Sequence, residues 1–332
     1  MSFSRSLTRR AFAAIMTAAV PAVSVLRAFA QSASPDSMPT GGTRIFTDAM
    51  GEVEIPANPQ RIVVLDGPML DAALSVGVTP IGATTGFADD PFPAYLGDRT
   101  EGIANVGIIT EPNLEAIIEL EPDLIIGTKV RHESIHPVLI EIAPTVFSET
   151  VGATWQNDFL LFTDAMNKKT EGENVIAQYR ERIDAFKQAT DGDRQDWRIS
   201  IVRFLPGAVR LYYHKSFIGT ILDDLEMPRA ESQDSEDPVN WSEEISEEQI
   251  RLCDGTHIFA CAWGATGDTP LEAYDANPLW HSLDAVKNDR LYWVDDEYWM
   301  VGIGYIAANK VMDDLEAFLI DGVAPTPVPV AS

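Results

Sequence analysis

The chain reads as an α/β protein of two lobes, each built on a mostly parallel sheet, with one long helix between them. Three observations predict this. Apolar runs of strand length alternate with amphipathic helical segments on both sides of a central stretch, the pattern of βαβ units. That central stretch, residues 170–191, has the spacing of one uninterrupted helix. A segment of the first half also recurs in the second without a gap: Glu115, Ile117, Glu121, Ile125 and Ile126 line up with Glu248, Ile250, Asp254, Ile258 and Phe259.

The first 30 residues have the organisation of a secretory signal. Arg5, Arg9 and Arg10 precede an apolar run over 11–25, and Ala28-Phe29-Ala30 is a small-x-small cleavage site. The run is too short to span a bilayer. Residues 6–12 (SLTRRAF) resemble a twin-arginine export motif, which passes folded chains; the paired arginines also suit an ordinary positive start, and the following Phe favours twin-arginine. No Cys stands at the cleavage site, so no lipid anchor is expected there. Removing the segment takes away four Arg and no acid, moving the net charge from −27 to −31. So acidic a surface argues against nucleic acid and against anionic lipid, so neither a nucleic-acid partner nor direct membrane insertion is expected. The expected product is soluble, periplasmic and monomeric, and long enough for two modest domains. Cys253 and Cys261 are the only cysteines; a bridge and two buried thiols are both compatible with their positions.

Residues 31–42 form a Ser/Pro/Gly-rich flexible leader, and residues 45–55 alternate around Gly51 like a hairpin. The first lobe, 43–169, then reads as strand 61–65, a helix through Met69–Val76, strand 80–83, a loop-like stretch 84–107, helix 113–120, strand 124–127, helix 134–142, strand 144–147 and helix 154–166. In the linker helix, 170–191, Val175, Ile176, Tyr179, Ile183 and Phe186 share one face. Thr170 and Glu173 have capping-box spacing, and Asp191-Gly192 suits a left-handed helix end. The second lobe, 192–321, reads as strands 198–204 and 209–213, helix 217–225, helix 246–252, strand 257–261, helix 279–285, strand 291–294 and helix 305–318. Residues 322–332 are a Pro-rich tail.

Asn113-Leu114-Glu115-Ala116-Ile117 followed by Glu121-Pro122-Asp123-Leu124-Ile125-Ile126, with Asn58-Pro59-Gln60-Arg61-Ile62-Val63 and Asn277-Pro278-Leu279-Trp280, resembles the periplasmic solute-binding proteins of iron–siderophore and cobalamin ABC importers. The resemblance runs from about residue 44 to residue 319. It implies a class III periplasmic binding protein: two Rossmann-like lobes joined by a single long helix, ligand held between them, and no catalysis or cofactor. It implies a ferric siderophore as ligand, with cobalamin, haem or a free transition metal (zinc or manganese) as alternatives on a similar scaffold. It further implies that Glu115 and Glu248, one per lobe, dock on arginines of the ABC transporter permease subunits. Both glutamates also suit a helix N-terminus for purely structural reasons.

The cleft is expected at loops following the carboxyl ends of the strands, where open parallel sheets bind ligands. A chelated iron arrives with its own oxygen ligands, so the protein needs aromatic faces and cationic donors. Tyr212, Tyr213, Trp263, Tyr298 and Trp299 suit the first role, with Trp263 and Trp299 favoured by their loop contexts; Arg131 and Arg203 suit the second. His132 and His136 have metal-binding spacing on a helix, but no third ligand is evident nearby and two solvent-facing histidines are favoured. Gly302-Ile303-Gly304 superficially matches a dinucleotide fingerprint; without a following strand and acidic partner, helix packing is the better explanation. Asp295-Asp296-Glu297 is read as a solvated turn.

Overall fold

The computed structural model describes residues 41–86, 91–237, 239–242, 244–263 and 269–324. The expected signal segment, nearly all of the leader and all but the first three tail residues lie outside them. An antiparallel hairpin, β1 (Thr43–Asp48) and β2 (Gly51–Pro56), opens the chain. The first lobe follows: β3 (Ile62–Val64), α1 (Gly67–Ser75), β4 (Gly82–Thr85), β5 (Ala104–Ile108), β6 (Glu111–Pro112), α2 (Leu114–Glu119), β7 (Leu124–Thr128), α3 (Lys129–His132), α4 (His136–Ile142), β8 (Thr145–Ser148) and α5 (Trp155–Ala165). Its sheet runs β6-β5-β4-β3-β7-β8, parallel except for the short edge strand β6. The stretch 84–107 is thus more than a loop: it holds β5 and a 3₁₀ segment, Ala94–Thr100. Continuous apolar runs such as Ile62–Val64 and Leu124–Thr128 are wholly buried, as strands covered on both faces must be.

The second lobe contains β9 (Ile199–Leu205), β10 (Ala208–Leu211), α7 (Phe217–Asp224), a 3₁₀ segment Glu247–Cys253, β11 (His257–Ala262), α8 (Leu271–Ala276), α9 (Asp284–Lys287) and β12 (Leu291–Trp293). Its sheet runs β10-β9-β11-β12, with only the β9–β10 pair antiparallel. The repeat is structural. Asp123 and Thr256, equivalent residues, each accept from the backbone amide of an arginine opening the neighbouring strand region, Arg61 at 2.9 Å and Arg198 at 2.6 Å. Ile117 and Ile250 are both fully buried. Glu121 and Asp254 differ, since only Glu121 takes a left-handed backbone (φ 46°).

Between the lobes runs α6 (Lys169–Ala189), 21 residues and about 30 Å long. Ile176, Tyr179, Ile183 and Phe186 are buried, with Val175 at the margin. They belong to one continuous core that takes in Ile62, Val64 and Ile126 of the first sheet and Ile199, Ile201 and Phe259 of the second. Both expected ends of α6 are corrected. The helix starts one residue early, so Thr170 sits inside the first turn and no side chain caps it. It ends at Ala189 with Thr190 as its cap, whose hydroxyl donates to the Phe186 carbonyl at 2.8 Å, and Gly192 does not adopt positive φ.

The last helix, α10 (Tyr305–Leu319), packs along α6 and against α1. Arg182 of α6 forks onto Glu316 (2.8 and 2.7 Å) and also reaches Asp313 (2.8 Å) and the Asn309 carbonyl (2.9 Å). Asp71 of α1 accepts from the amides of Ile306 (3.0 Å) and Ala307 (3.1 Å), satisfying the start of α10 from the other lobe. Gly304 makes this possible: a Cβ there would overlap the Asp71 carboxyl, and one on Gly302 would lie 2.8 Å from the Tyr95 ring. Packing accounts for the small residues of the Gly302–Gly304 motif. Trp155, Phe159, Tyr179, Phe217 and Tyr305 interlock edge to face at the same seam, with centroids 4.6–6.0 Å apart.

Candidate functional site

Each lobe places an arginine–aspartate pair at the ends of its strands. In the first, Asp66 follows β3, caps α1 through the Gly67 amide (2.8 Å), and is itself buried. Arg131 on α3 sets its Nη1 2.9 Å from Asp66 Oδ2 and leaves 37% of its side chain exposed. Burial holds the Asp66 carboxyl above its usual range against the pull of Arg131.

In the second lobe Arg203, near the end of β9, forks onto Asp296: Nε to Oδ1 and Nη2 to Oδ2, both 2.6 Å. Its Nη1 donates to the Tyr212 hydroxyl at 3.1 Å, and the guanidinium carbon lies 5.5 Å from the Trp263 ring centroid. Burial opposes the Arg203 charge, but Asp296 outweighs it and the pKa rises. The acidic turn of the sequence reading is therefore corrected at Asp296, which is buried against Arg203. That pairing fixes the fork and leaves three N–H bonds of the guanidinium outside it, one of which goes to Tyr212.

A π-helical turn, Glu297–Val301, joins the two pairs. It starts beside Asp296 and ends with the Val301 carbonyl against Gly67, next to Asp66; a Cβ on Gly67 would lie 3.9 Å from it. Glu297 accepts from the Ala94 amide at 2.7 Å, and Tyr298 meets the Tyr95 ring edge to face at 6.2 Å. Tyr95 in turn donates to Asp71 at 3.4 Å. Both arginines thus flank the contact between the lobes.

The candidate aromatics divide. Trp263 is 39% exposed, Tyr213 half-buried and Tyr212 buried with its hydroxyl on Arg203. Tyr298 is half-buried and donates to Asp314 at 3.0 Å. Trp299 is corrected: it is 0% exposed, stacks on Phe259 (5.0 Å, 22°) and donates to Asp314 at 2.8 Å, so it is a core side chain and offers no face to a ligand. Asp66 and Asp296 fall in loops expected to line the cleft, but their pairing with the arginines was not foreseen, and Arg210 and Trp241 were missed altogether. Arg210 stands directly opposite Arg203 in the β9–β10 ladder and lies over the ring of Trp241, 5.6 Å from its centroid.

His132 is also corrected. It is fully buried, its Nδ1 accepts from the Thr128 amide (3.1 Å), and its Nε2 reaches the Ile109 carbonyl (2.9 Å). Both ring nitrogens are used by the backbone, which fixes a neutral Nε2–H tautomer, and burial lowers its pKa. His136 packs edge-on to Phe147 at 5.0 Å. Cys253 and Cys261 are free, buried thiols, with Cys253 pushed up to about 12 by burial. Glu115 and Glu248 are exposed in the first turns of α2 and of the segment Glu247–Cys253, behind the caps Asn113 and Ser246. Glu247 takes a hydrogen bond from Asn277 (3.4 Å), which distinguishes the two neighbours.

Residues 62–298 match the family model described as periplasmic binding protein. The chain is 40% identical over 300 residues to the Bacillus subtilis protein named probable siderophore-binding lipoprotein YfiY, covering 87% of this chain and 92% of that one. It is 31% identical to the Fe(3+)-citrate-binding protein YfmC of the same organism, over 77% of this chain and 80% of that one. Among solved structures it is similar to Staphylococcus aureus SirA complexed with staphyloferrin B: TM-score 0.73, 30% identity, covering 83% of this chain and 98% of that chain.

Proposed function

The chain belongs to the periplasmic binding protein family, and from that premise we propose that it captures a ferric siderophore between its lobes and hands it to an ABC-type iron importer. Its fold is that of the class III binding proteins, and the family binds and delivers; it does not catalyse. The observation that carries the ligand reading is the pair of oriented arginines, Arg131 and Arg203, flanking the contact between the lobes, with Tyr212, Tyr213, Trp263 and Tyr298 nearby. Such a surface recognises a bulky, pre-chelated, anionic complex without supplying a ligand to its iron. Relatives that are named for a siderophore or for ferric citrate support the same class.

Residues 43–169 and 192–321 act as the two lobes and 170–191 as the spine. A helix resists bending because its backbone ladder would break, so the cleft is largely pre-formed. Glu115 and Glu248 present one carboxylate per lobe to permease arginines, setting orientation and encounter rate. The chain works as a monomer in the periplasm after export by the twin-arginine route and cleavage of residues 1–30. Among the described residues no helix is long and apolar enough to cross a membrane.

The test is a fluorescence titration of the processed chain with ferric hydroxamate, catecholate and carboxylate siderophores, haem, cobalamin and zinc. One siderophore class should bind at one site per chain with tryptophan quenching. Binding of zinc alone would overturn the reading, and the engaged nitrogens of His132 argue against that outcome. Reversing Glu115 and Glu248 together should abolish uptake and leave the titration unchanged. A lost titration would remove them from the docking role.

A further inference from the structure

Four side chains stand in a row across one face of the second sheet: Trp263, Arg203, Arg210 and Trp241. Arg203 and Arg210 are cross-strand partners in an antiparallel ladder, so their side chains leave the sheet on the same face a few ångströms apart at the base. Trp263 follows β11, and its amide bonds the Phe204 carbonyl at 2.9 Å, which sets it beside Arg203. Trp241 belongs to a segment that extends the sheet beyond β10: Ser242 N donates to Leu211 O (2.9 Å) and Tyr213 N to Asn240 O (2.9 Å). Each guanidinium lies over its own indole, at 5.5 and 5.6 Å, and each indole is 39% exposed.

Two like charges directly opposite one another destabilise a ladder. Asp296 answers the charge of Arg203, but among the described residues no carboxylate pairs with Arg210. The row therefore holds one cation more than its folded partners offset, in a chain of strongly negative total charge. The indoles hold the guanidinium planes by cation–π contact, which leaves N–H edges for a ligand and covers ring faces that a catechol would need. A planar guanidinium with free N–H bonds matches a carboxylate in two-point fashion, and two adjacent guanidiniums match a complex carrying several carboxylates.

We propose that Arg210 and Trp241 extend the ligand site along the β9–β10 face, and that the row selects a ferric polycarboxylate of the citrate type over neutral hydroxamate and catecholate complexes. This rests on the reading of the chain as a ferric-siderophore binder. Arg203 supplies the N–H bonds that Asp296 and Tyr212 leave over, Arg210 a whole fork, and the ligand takes the charge that the described residues leave unanswered.

The test titrates the processed full chain with ferric citrate, ferrioxamine B and ferric tris(2,3-dihydroxybenzoate), for the parent and for Arg210→Gln, Arg210→Lys and Trp241→Phe, with circular dichroism to verify folding. Ferric citrate should bind at least about tenfold more tightly than the other two, the worth of one charge-assisted bond pair. Arg210→Gln should lose about tenfold toward ferric citrate, Arg210→Lys less, and the salt dependence should shallow in the Gln variant. Trp241→Phe keeps an aromatic platform and should lose only a few-fold. Tightest binding of ferrioxamine B or the catecholate, or an unchanged citrate titration in Arg210→Gln, would overturn the proposal and leave the siderophore reading standing. Failure of all three chelates to bind the parent would overturn both.

Discussion

The two lobes use the same device in opposite ways. In the first, the aspartate of the strand-end pair is buried and the arginine lies partly in solvent; in the second, both partners are buried, at 12% and 8% exposure. Among the described residues Arg131 has one partner, Asp66, and more than a third of its side chain is open to solvent. Arg203 is held at three points and stacked. A pair of the first kind adapts to what arrives, whereas one of the second kind presents a fixed geometry that costs no further ordering on binding.

That contrast is open to measurement. Arg203→Ala strands the Asp296 carboxylate in the interior and should cost about 3–5 kcal/mol in urea unfolding, as removal of one partner of a buried pair does. A loss below about 1 kcal/mol would erase the difference between the lobes. Gly304→Ala forces a methyl into the Asp71 carboxyl at the seam and should cost about 1–3 kcal/mol, whereas Gly192→Ala, with open space around it, should change stability by less than about 0.5 kcal/mol. Arg131→Ala should cost about 1 kcal/mol or less, because its charge is partly in water and Asp66, already raised by burial, can take a proton.

A smaller, pH-dependent effect belongs to the seam. Burial raises Asp71 from 3.8 to about 7, although backbone amides pull it down. Between these values the folded chain keeps a proton that the unfolded chain has released, so the stability due to Asp71 is full below 3.8 and lost as pH rises through about 7. Against Asp71→Asn, the parent should therefore gain stability as pH falls from 7 to 4 in a series of unfolding curves. His257, lowered to about 4 by burial, works in the opposite direction and is common to both chains, so it cancels in the difference. A flat difference would show that Asp71 keeps its charge state across the window.

Legibility in the sequence followed the range of the interactions. Strands such as Ile62–Val64, Leu124–Thr128 and His257–Ala262 announce themselves because burial on both faces demands an unbroken apolar run. The spacing of Ile176, Tyr179, Ile183 and Phe186 fixes the buried face of α6 by local geometry alone. The partners of the arginines were not legible, because Asp296 lies 93 residues from Arg203 and Asp66 lies 65 from Arg131. Arg210 and Trp241 escaped for a related reason: only the β9–β10 register and the added edge segment bring them into line with Arg203. Trp299 misled because its Asp-rich neighbours suggest solvent, while Asp314, on the distant last helix, receives its indole N–H inside the core.

The hold of Asp71 on Ile306 and Ala307 spans 235 and 236 residues, nearly the whole described chain. Seen along the polypeptide, the chain leaves the second sheet after β12 and returns through α10 to the helix with which the first lobe began. The two lobes are accordingly closed on each other by a contact between the first helix and the last, a loop that unfolding of either helix end would open.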